Sequence, residues 1–560
     1  MHSKFSLFPY LIPKKMSKNI TKFKYLVLII SLFLIGSNSS YSERSNYRIG
    51  NIFFESKDVF DSTQNDWFWG AKVLNKLHTI TQPFIIEDEL LFSSDDHLNL
   101  DVIDETERNL RRTGLFTKVL IEIDSVNPTT YDVIVNTQDR WSLQPAVLYG
   151  TGGGVSNYGG KLQESNLFGT WTDVSLEMLY RTENKIGLQG LFELNKQRLF
   201  RSDLTLNTVI SSNKFRSYQK IDIFKPYWTL NTQDSYGLNL FNQSGNDFLY
   251  LSLLDTTQLI KVKEQKAAAY YSKVFFGNDR AFMTFYTSFH NVDRGDKKYR
   301  RAFDNSGQFF AVFSSVSEEY IKTTKLNTYL DEDLQVGGYG SAILGRTFSL
   351  GNGGETLWYI AADGETSYYT GDFYVNLRAA AGSAFFSNQS KYVSQESEGL
   401  AFYNVTDNIL ITSKIQQQTV WRWDAMRQLI LDTDSGLRGF DVNRLSGDNR
   451  LFSNTEIRYF PNMEFWALNF SGVAFFDIGT VWNQSSNIAQ AKFYKTGGLG
   501  LRIHNMKMTG KGHILRLDFA YNISEGKFGG IVFGTEQYFS AFKWHLFKLP
   551  KIIGLDFDQE

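Results

Sequence analysis

The residues best suited to chemistry in this 560-residue chain are charged, and they gather late in it. Leu437-Arg438-Gly439-Phe440 carries one arginine among small and apolar neighbours, as a loop would. Asn454-Thr455-Glu456-Ile457-Arg458-Tyr459 and Phe475-Phe476-Asp477-Ile478-Gly479 come next, and both alternate as strands do. Glu456 and Arg458 share one strand face, and Phe475, Asp477 and Gly479 share the face of another. A guanidinium forks onto a carboxylate, and such a pair is stronger in a confined polar site than at an open surface. The chemistry on offer is ionic clamping: Arg438 held by Asp477, with Gly479 leaving space beside the loop tip. Glu456 and Arg458 either join that network or simply line a wet interior. On spacing alone, a solvated loop arginine fits Arg438 equally well.

Bond-making chemistry finds little footing. The seven histidines are scattered, and no H-E-x-x-H or G-x-S-x-G occurs. Gly150-Thr151-Gly152-Gly153-Gly154 continues into no G-x-G-x-x-G and reads as a turn between strands. No catalytic, cofactor-binding or metal site is predicted, and the expectation is a protein that is not an enzyme. Asp95-Asp96 and Asp331-Glu332-Asp333 read as solvated turns. Lys plus Arg is 58 against 59 for Asp plus Glu, so nothing argues for a nucleic-acid partner. Cysteine is absent, which removes disulfides and thiolate metal sites.

The elements that must position these charges are strands. Aromatic residues make up 16% of the chain, with 44 glycines and only 8 prolines, a mix suited to long strands, tight turns and aromatic belts. From Trp141 to about Phe539 the texture is period two. Val174, Leu176, Met178 and Tyr180 alternate with polar residues, and Leu515, Leu517, Phe519 and Tyr521 alternate with Arg516, Asp518 and Ala520. A soluble sandwich would need a second sheet for every such face. Recurrence over roughly 400 residues without a helical pattern favours a transmembrane β-barrel, at roughly 25 residues per strand and turn about 16 antiparallel strands. Asp477 then faces the lumen if Phe476 and Ile478 face lipid. The last strand is read at Ile531–Phe539.

Four regions result. Residues 1–42 read as a signal peptide: Lys18, Lys22 and Lys24 precede the apolar run Tyr25–Gly36, and Ser40-Tyr41-Ser42 comes after it. An uncleaved anchor helix is the rival reading. Residues 46–140 read as one small α+β domain of strand, helix, helix, strand, strand. Its helices are expected near Phe84–Phe92 and from an N-cap at Asp101 to Gly114. The cluster Trp67-Phe68-Trp69 reads as an added helix or packed loop. Residues 141–540 form the barrel, and 541–560 a C-terminal tail.

The order and spacing of the motifs at 437–482 resemble the BamA/TamA-type superfamily of POTRA-bearing outer-membrane barrels, the bacterial surface antigen family. That family has an Arg-Gly-Phe/Tyr loop and then a strand with Phe, Asp and Gly at alternate positions; Leu437 stands where it usually has valine. Asn109-Leu110-Arg111-Arg112-Thr113-Gly114-Leu115-Phe116 resembles its helix-to-strand corner, and Glu164-Ser165-Asn166-Leu167-Phe168-Gly169 the short periplasmic turn after its second strand. The resemblance implies a bacterial outer-membrane location, with the small domain a periplasmic POTRA unit. It implies a lock of Leu437, Arg438, Gly439, Phe440, Phe475, Asp477 and Gly479, with Glu456 and Arg458 as further members. Implied partners are the lipid bilayer, a client outer-membrane or secreted protein, and periplasmic accessory proteins. The implied role is inserting or translocating other proteins. A two-partner-style secretion pore, a plugged channel and a structural surface antigen remain as alternatives.

Overall fold

The computed structural model describes residues 47–61, 70–152, 155–229, 232–251, 256–276, 280–465, 468–507, 514–541 and 549–558. The expected signal peptide and the Trp67-Phe68-Trp69 cluster lie outside the described residues.

The N-terminal unit comprises β1 (Arg48–Lys57), α1 (Ala71–Leu77), α2 (Pro83–Glu87), α3 (Leu100–Arg112), β2 (Phe116–Asn127) and β3 (Thr130–Asp139). Its sheet runs β1-β3-β2, with β1 parallel and β2 antiparallel to β3. Ile103 and Leu110, seven residues apart on α3, bury one helical stripe against Ile85, Ile86, Phe116, Val133 and Val135. The α3 N-cap is Asn99, not Asp101: the Asn99 side chain accepts the Asp101 N–H at 2.9 Å, and Asp101 sits in the first turn. Gly114, at φ +73°, carries the chain out of the helix. Helix α2 begins on Pro83 and stops at Glu87, short of the expected Phe92. An additional helix, α1, precedes it.

The barrel is one closed antiparallel sheet. Its strands are β4 (Leu143–Gly152), β5 (Val155–Glu164), β6 (Thr172–Arg181), β7 (Gly187–Lys196), β8 (Thr205–Ser212), β9 (Arg216–Lys225), β10 (Asp234–Leu251), β11 (Thr256–Phe276), β12 (Arg280–Asp293), β13 (Ser306–Thr323), β14 (Glu332–Ser349), β15 (Trp358–Tyr369), β16 (Phe373–Phe386), β17 (Gln389–Thr406) and β18 (Ile409–Trp421). A long loop holding the ribbon β19 (Leu429–Ile430) and β20 (Ser446–Gly447) interrupts the wall. The wall resumes with β21 (Asn449–Tyr459), β22 (Glu464–Phe465), β23 (Leu468–Trp482), β24 (Tyr494–Asn505), β25 (Ile514–Asn522) and β26 (Lys527–Gly534). Both β21 and β22 pair with β23, so they are one strand broken around Pro461. Among the described residues the wall therefore has twenty strands rather than about 16, because strand and turn together take about 20 residues, not 25.

Period two sets the two faces. Leu176, Met178 and Tyr180 on β6 point outward and are exposed, while Ser175 points inward and is buried. Phe285 and Phe289 on β12, Phe309 and Phe313 on β13, and Leu499 and Leu501 on β24 continue the exposed apolar exterior. Among the described residues no helix is long and apolar enough to cross a membrane.

Closure of the sheet is uneven. Among the described residues, β26 and β4 register through Gly530↔Gly152 and Ile531↔Thr151, whereas β4 pairs with β5 along ten residue pairs. Across that seam Tyr149 and Phe533 meet edge to face at 5.9 Å. The final strand also ends at Gly534, so residues through Phe539 are free to leave the wall. The expected strand Ile531–Phe539 is thus displaced toward the N-terminus by about one turn's length.

The N-terminal unit docks on one rim, here the proximal rim. Arg111 forks onto Asp333 at 3.2 and 3.0 Å, which makes Asp333 a buried anchor rather than a solvated turn residue. Arg112 donates to the Trp228 carbonyl at 2.8 Å, and Arg198 donates to Glu89 at 2.6 Å. Burial of the Glu89 carboxyl outweighs the neighbouring Arg198 and raises its pKa above the ordinary carboxylate value.

Candidate functional site

The chain between β18 and β21 leaves the distal rim and folds back into the barrel. The β19–β20 ribbon forms its neck. Asp432 organises the tip: its carboxylate accepts the Ser435 N–H at 3.1 Å and the Asn443 N–H at 2.8 Å, and its carbonyl accepts the Leu437 N–H at 2.7 Å. Leu437 and Phe440 are fully buried with Leu431, Leu445 and Phe452, and the Phe440 ring meets Tyr494 at 5.2 Å. Burying these apolar side chains drives the loop inward and carries Arg438 with it.

Gly439 marks the closest approach to the wall. It has φ +76°, and a Cβ there would lie 2.4 Å from the Ala520 Cβ. A Cβ on Gly529 would lie 2.2 Å from the Gly439 carbonyl oxygen. The loop tip thus bears directly on β25 and β26. Gly479 serves from the wall side: a Cβ there would lie 2.8 Å from the Phe452 Cβ and 3.0 Å from Leu431.

Arg438 is completely buried. Its Nε and Nη2 donate to the two Asp477 oxygens at 2.9 and 2.8 Å, and its backbone N–H adds a third bond at 3.2 Å. Nη1 donates to Glu456 at 2.6 Å and, more weakly, to Asp518 at 3.4 Å. The guanidinium is stacked between two rings, 3.8 Å from the Phe475 centroid and 4.1 Å from that of Tyr538.

Other residues complete the cluster. Arg458 donates to the second Glu456 oxygen at 2.8 Å, to the Leu326 carbonyl at 3.1 Å and to the Phe539 carbonyl at 2.7 Å. Arg502 donates to Asp518 at 2.6 Å. Asn454 donates to Asp477 at 2.8 Å and to the Gly436 carbonyl at 2.8 Å. Arg438, Arg458 and Arg502 face Glu456, Asp477 and Asp518, so six fully buried charges cancel. Arg516, nearer solvent, reaches Asp518 at 3.6 Å. Burying each ion alone would cost several kcal/mol, and only full pairing makes the cluster tolerable.

The nine residues singled out from sequence therefore meet at one place inside the barrel. Asp518, Arg502, Asn454 and Tyr538 were not among them. Asp518 and Arg502 had a readable signal, since both stand opposite lipid-facing apolar residues on strands near the chain's end. Tyr538 had none, because it lies beyond the last strand. His504, the other buried ionisable residue nearby, hydrogen-bonds to Ser471 at 2.9 Å and lines the wall. The arrangement holds a loop against a wall.

No protein-family model matches the chain, and a search of curated proteins returns no match. Among solved structures, CdiB from Escherichia coli is similar at 12% identity and a TM-score of 0.41, over 94% of this chain and 98% of that one. BamA from Haemophilus ducreyi lacking POTRA domains 1-3 is similar at 12% identity and a TM-score of 0.37, over 87% and 84%. CdiB from Acinetobacter baumannii is similar at 13% identity and a TM-score of 0.40, over 87% and 72%. These are loose similarities, and the barrel assignment rests on the strand ladder itself.

Proposed function

We propose that this chain is a bacterial outer-membrane barrel that inserts other proteins into that membrane or moves them across it, without bond chemistry. The exposed apolar exterior suits a lipid surround. Residues 46–140 would be a periplasmic POTRA-like domain at the proximal mouth, delivered by the leader 1–42. Strands β1 and β2 are the edges of its sheet, and an edge can accept an extended client segment by strand addition.

The observation that carries the proposal is the seam. Among the described residues two pairs close β26 onto β4, and the tip of the Arg438 loop packs against β25 and β26 beside it. A seam that short opens at small cost, and the unpaired edge of β4 or β26 then templates a client strand. The buried ion cluster would be the lock that keeps the loop and the adjoining strands in register. Pro145, which has no N–H to give, further weakens β4 as a ladder strand.

A second reading, a pore through the lumen, is favoured by a different observation. A cavity of about 900 Å³ lies inside, lined by Arg112 of the N-terminal unit and by Tyr270 and Tyr320 of the wall.

One experiment separates the two. Thr151 and Ile531 are register partners across the seam, and the chain has no cysteine of its own. The double substitution Thr151→Cys/Ile531→Cys is expected to form a disulfide under oxidation. If the seam is the route, oxidation stops client handling, read by outer-membrane proteomics after depletion and complementation, and reduction restores it. Undiminished handling with the seam bonded shut rules the seam route out and leaves the lumen.

A further inference from the structure

Beyond β26 the described residues 535–541 and 549–558 have seats inside the barrel. At the proximal end Phe539 packs against Phe402 at 6.2 Å, and its carbonyl accepts the Arg458 bond. At the distal end Ile552 and Ile553 are buried among Phe303, Phe310, Tyr359, Tyr392 and Trp423. Leu410 in the first cluster and Val420 in the second lie on the same strand, β18, about 33 Å apart at strand rise. Phe539 and Ile553 are fourteen positions apart in sequence, enough to cover that distance, since such a stretch reaches up to about 48 Å when extended.

The distal seat is built in detail. Tyr359 Oη accepts the Ile553 N–H at 2.7 Å, and Ser394 donates to the Ile553 carbonyl at 2.7 Å. The Gly554 N–H donates to Glu396 at 3.0 Å. Gly554 has φ +80°, and a Cβ there would lie 2.5 Å from the Ser394 Cβ, so the seat requires glycine. Arg427 donates to the carbonyls of Gly554 and Asp556, the latter at 3.0 Å. Asp556 accepts from Gln418 at 2.9 Å. Asp558 accepts from Arg450 at 2.6 Å and from the Ile430 N–H at 2.8 Å, while its own N–H donates to the Gln428 carbonyl at 2.8 Å. The Arg301 guanidinium lies 3.5 Å over the Phe557 ring.

We propose that the distal half of the lumen is a peptide-binding site, filled in cis by residues 549–558. It takes a segment bearing a paired aliphatic step, a turn at a left-handed glycine, and two carboxylates two residues apart. Main-chain bonds hold the backbone on both sides of the glycine turn. The apolar cluster reads the two isoleucines, the Ser394 wall reads the glycine, and Gln418 and Arg450 read the carboxylates. The cavity beside Leu549 and Ile552 continues toward Arg112 at the proximal mouth, so a segment entering from that side reaches the site through it. That a client segment is the ligand in trans rests on the proposed protein-handling role; occupancy by the tail does not.

The test lets the full chain fold first. A protease recognition sequence placed within residues 542–548 allows the tail to be cut afterwards, and a fluorescent peptide of residues 549–560 is the probe. The cut protein is expected to bind the probe saturably, at least tenfold more tightly than the uncut protein. Arg450→Met in the protein, or Asp558→Asn in the probe, weakens binding at least tenfold, and a scrambled probe does not bind. A second form avoids cutting: full-length Asp556→Asn/Asp558→Asn is expected to take up the unmodified probe more readily than the parent chain. A cut protein that takes up no probe, or equal uptake by cut and uncut protein with no gain in the double variant, makes the tail a permanent strut and overturns the proposal. Peptide binding is read in detergent, so it can succeed while the seam experiment fails, and the reverse.

Discussion

Arg438 forks onto both carboxylate oxygens of Asp477, at 2.9 and 2.8 Å, from a loop 39 residues earlier in the chain. The pair joins an inserted loop to the wall of a barrel whose own ladder does not depend on it. Removing Arg438 therefore strikes the loop and spares the wall. Arg438→Ala leaves Asp477 buried without the guanidinium it faces, while Glu456 keeps Arg458, at a cost of about 3–5 kcal/mol. That raises the population of the unseated loop by about a hundredfold to a few thousandfold. Chymotrypsin cleavage near Phe440 should accelerate, while the barrel still shifts between folded and heated forms on a gel. Unchanged cleavage would mean that the apolar cluster alone seats the loop.

A steric counterpart comes from Gly439. Its φ of +76° and the 2.4 Å approach of a hypothetical Cβ to Ala520 add two separate penalties to Gly439→Ala. The left-handed conformation costs about 1–2 kcal/mol for an L residue, and the clash adds to it. Ala520→Gly should relieve the clash and not the backbone term, so the double variant recovers part of the protease protection. Full recovery would show that the backbone conformation adapts freely.

The legible parts of this molecule are those with a period. Alternation in Leu515-Arg516-Leu517-Asp518-Phe519 gives both the strand and its two faces, because lipid and lumen select opposite residue types. The loop motif at Arg438 is legible for a different reason: spacing alone suits a solvated arginine equally well, and the order of the loop with the strand motifs at 454–459 and 475–479 sets it apart. The strand number is not, since turns such as Asn213–Phe215 are too short to break the alternation by eye. The seating of the tail is not either. Phe539, Ile552 and Ile553 find their partners on strands far back in sequence, and no local pattern encodes a seat inside one's own lumen. Asp101 competes with Asn99 for the helix start because two good capping residues stand two positions apart.

The proximal interface gives a pH dependence. Glu89 is buried against Arg198, which also stacks over Trp228 at 4.2 Å. Its pKa is raised in the docked state because burial penalises the carboxylate more than Arg198 favours it. The docked form then holds a proton at pH values where the separated domain has already lost one. Docking is strengthened as pH falls through the window between the raised pKa and the ordinary one, and that gain is lost as pH rises through the raised pKa. A fluorescence-transfer pair on α3 and the proximal rim should report closer docking toward the acidic end. Glu89→Gln should flatten the response, and a profile that loosens on acidification would contradict it.

The two wall carboxylates that flank Arg438 should differ in weight. Asp477 receives three bonds from Arg438 and one from Asn454, whereas Asp518 receives a short bond from Arg502 and only a 3.4 Å bond from Arg438. Asp477→Asn removes the charge that the loop arginine faces most directly and also disrupts the fork, because an amide offers one acceptor where the carboxylate offered two. Asp518→Asn chiefly unbalances Arg502, which sits in the wall between β23 and β25 and holds no loop. Loop protease sensitivity should therefore rise strongly in Asp477→Asn and only weakly in Asp518→Asn. Wall stability, read by the temperature of the gel shift, should fall in the opposite order. A double-mutant cycle makes the distinction quantitative. Arg438→Ala and Asp477→Asn should be far from additive on loop release, with a coupling of about 1–3 kcal/mol, and Arg438→Ala with Asp518→Asn should add to within about 0.5 kcal/mol. Equal coupling at both carboxylates would mean that the loop reads the whole charge cluster rather than the single fork.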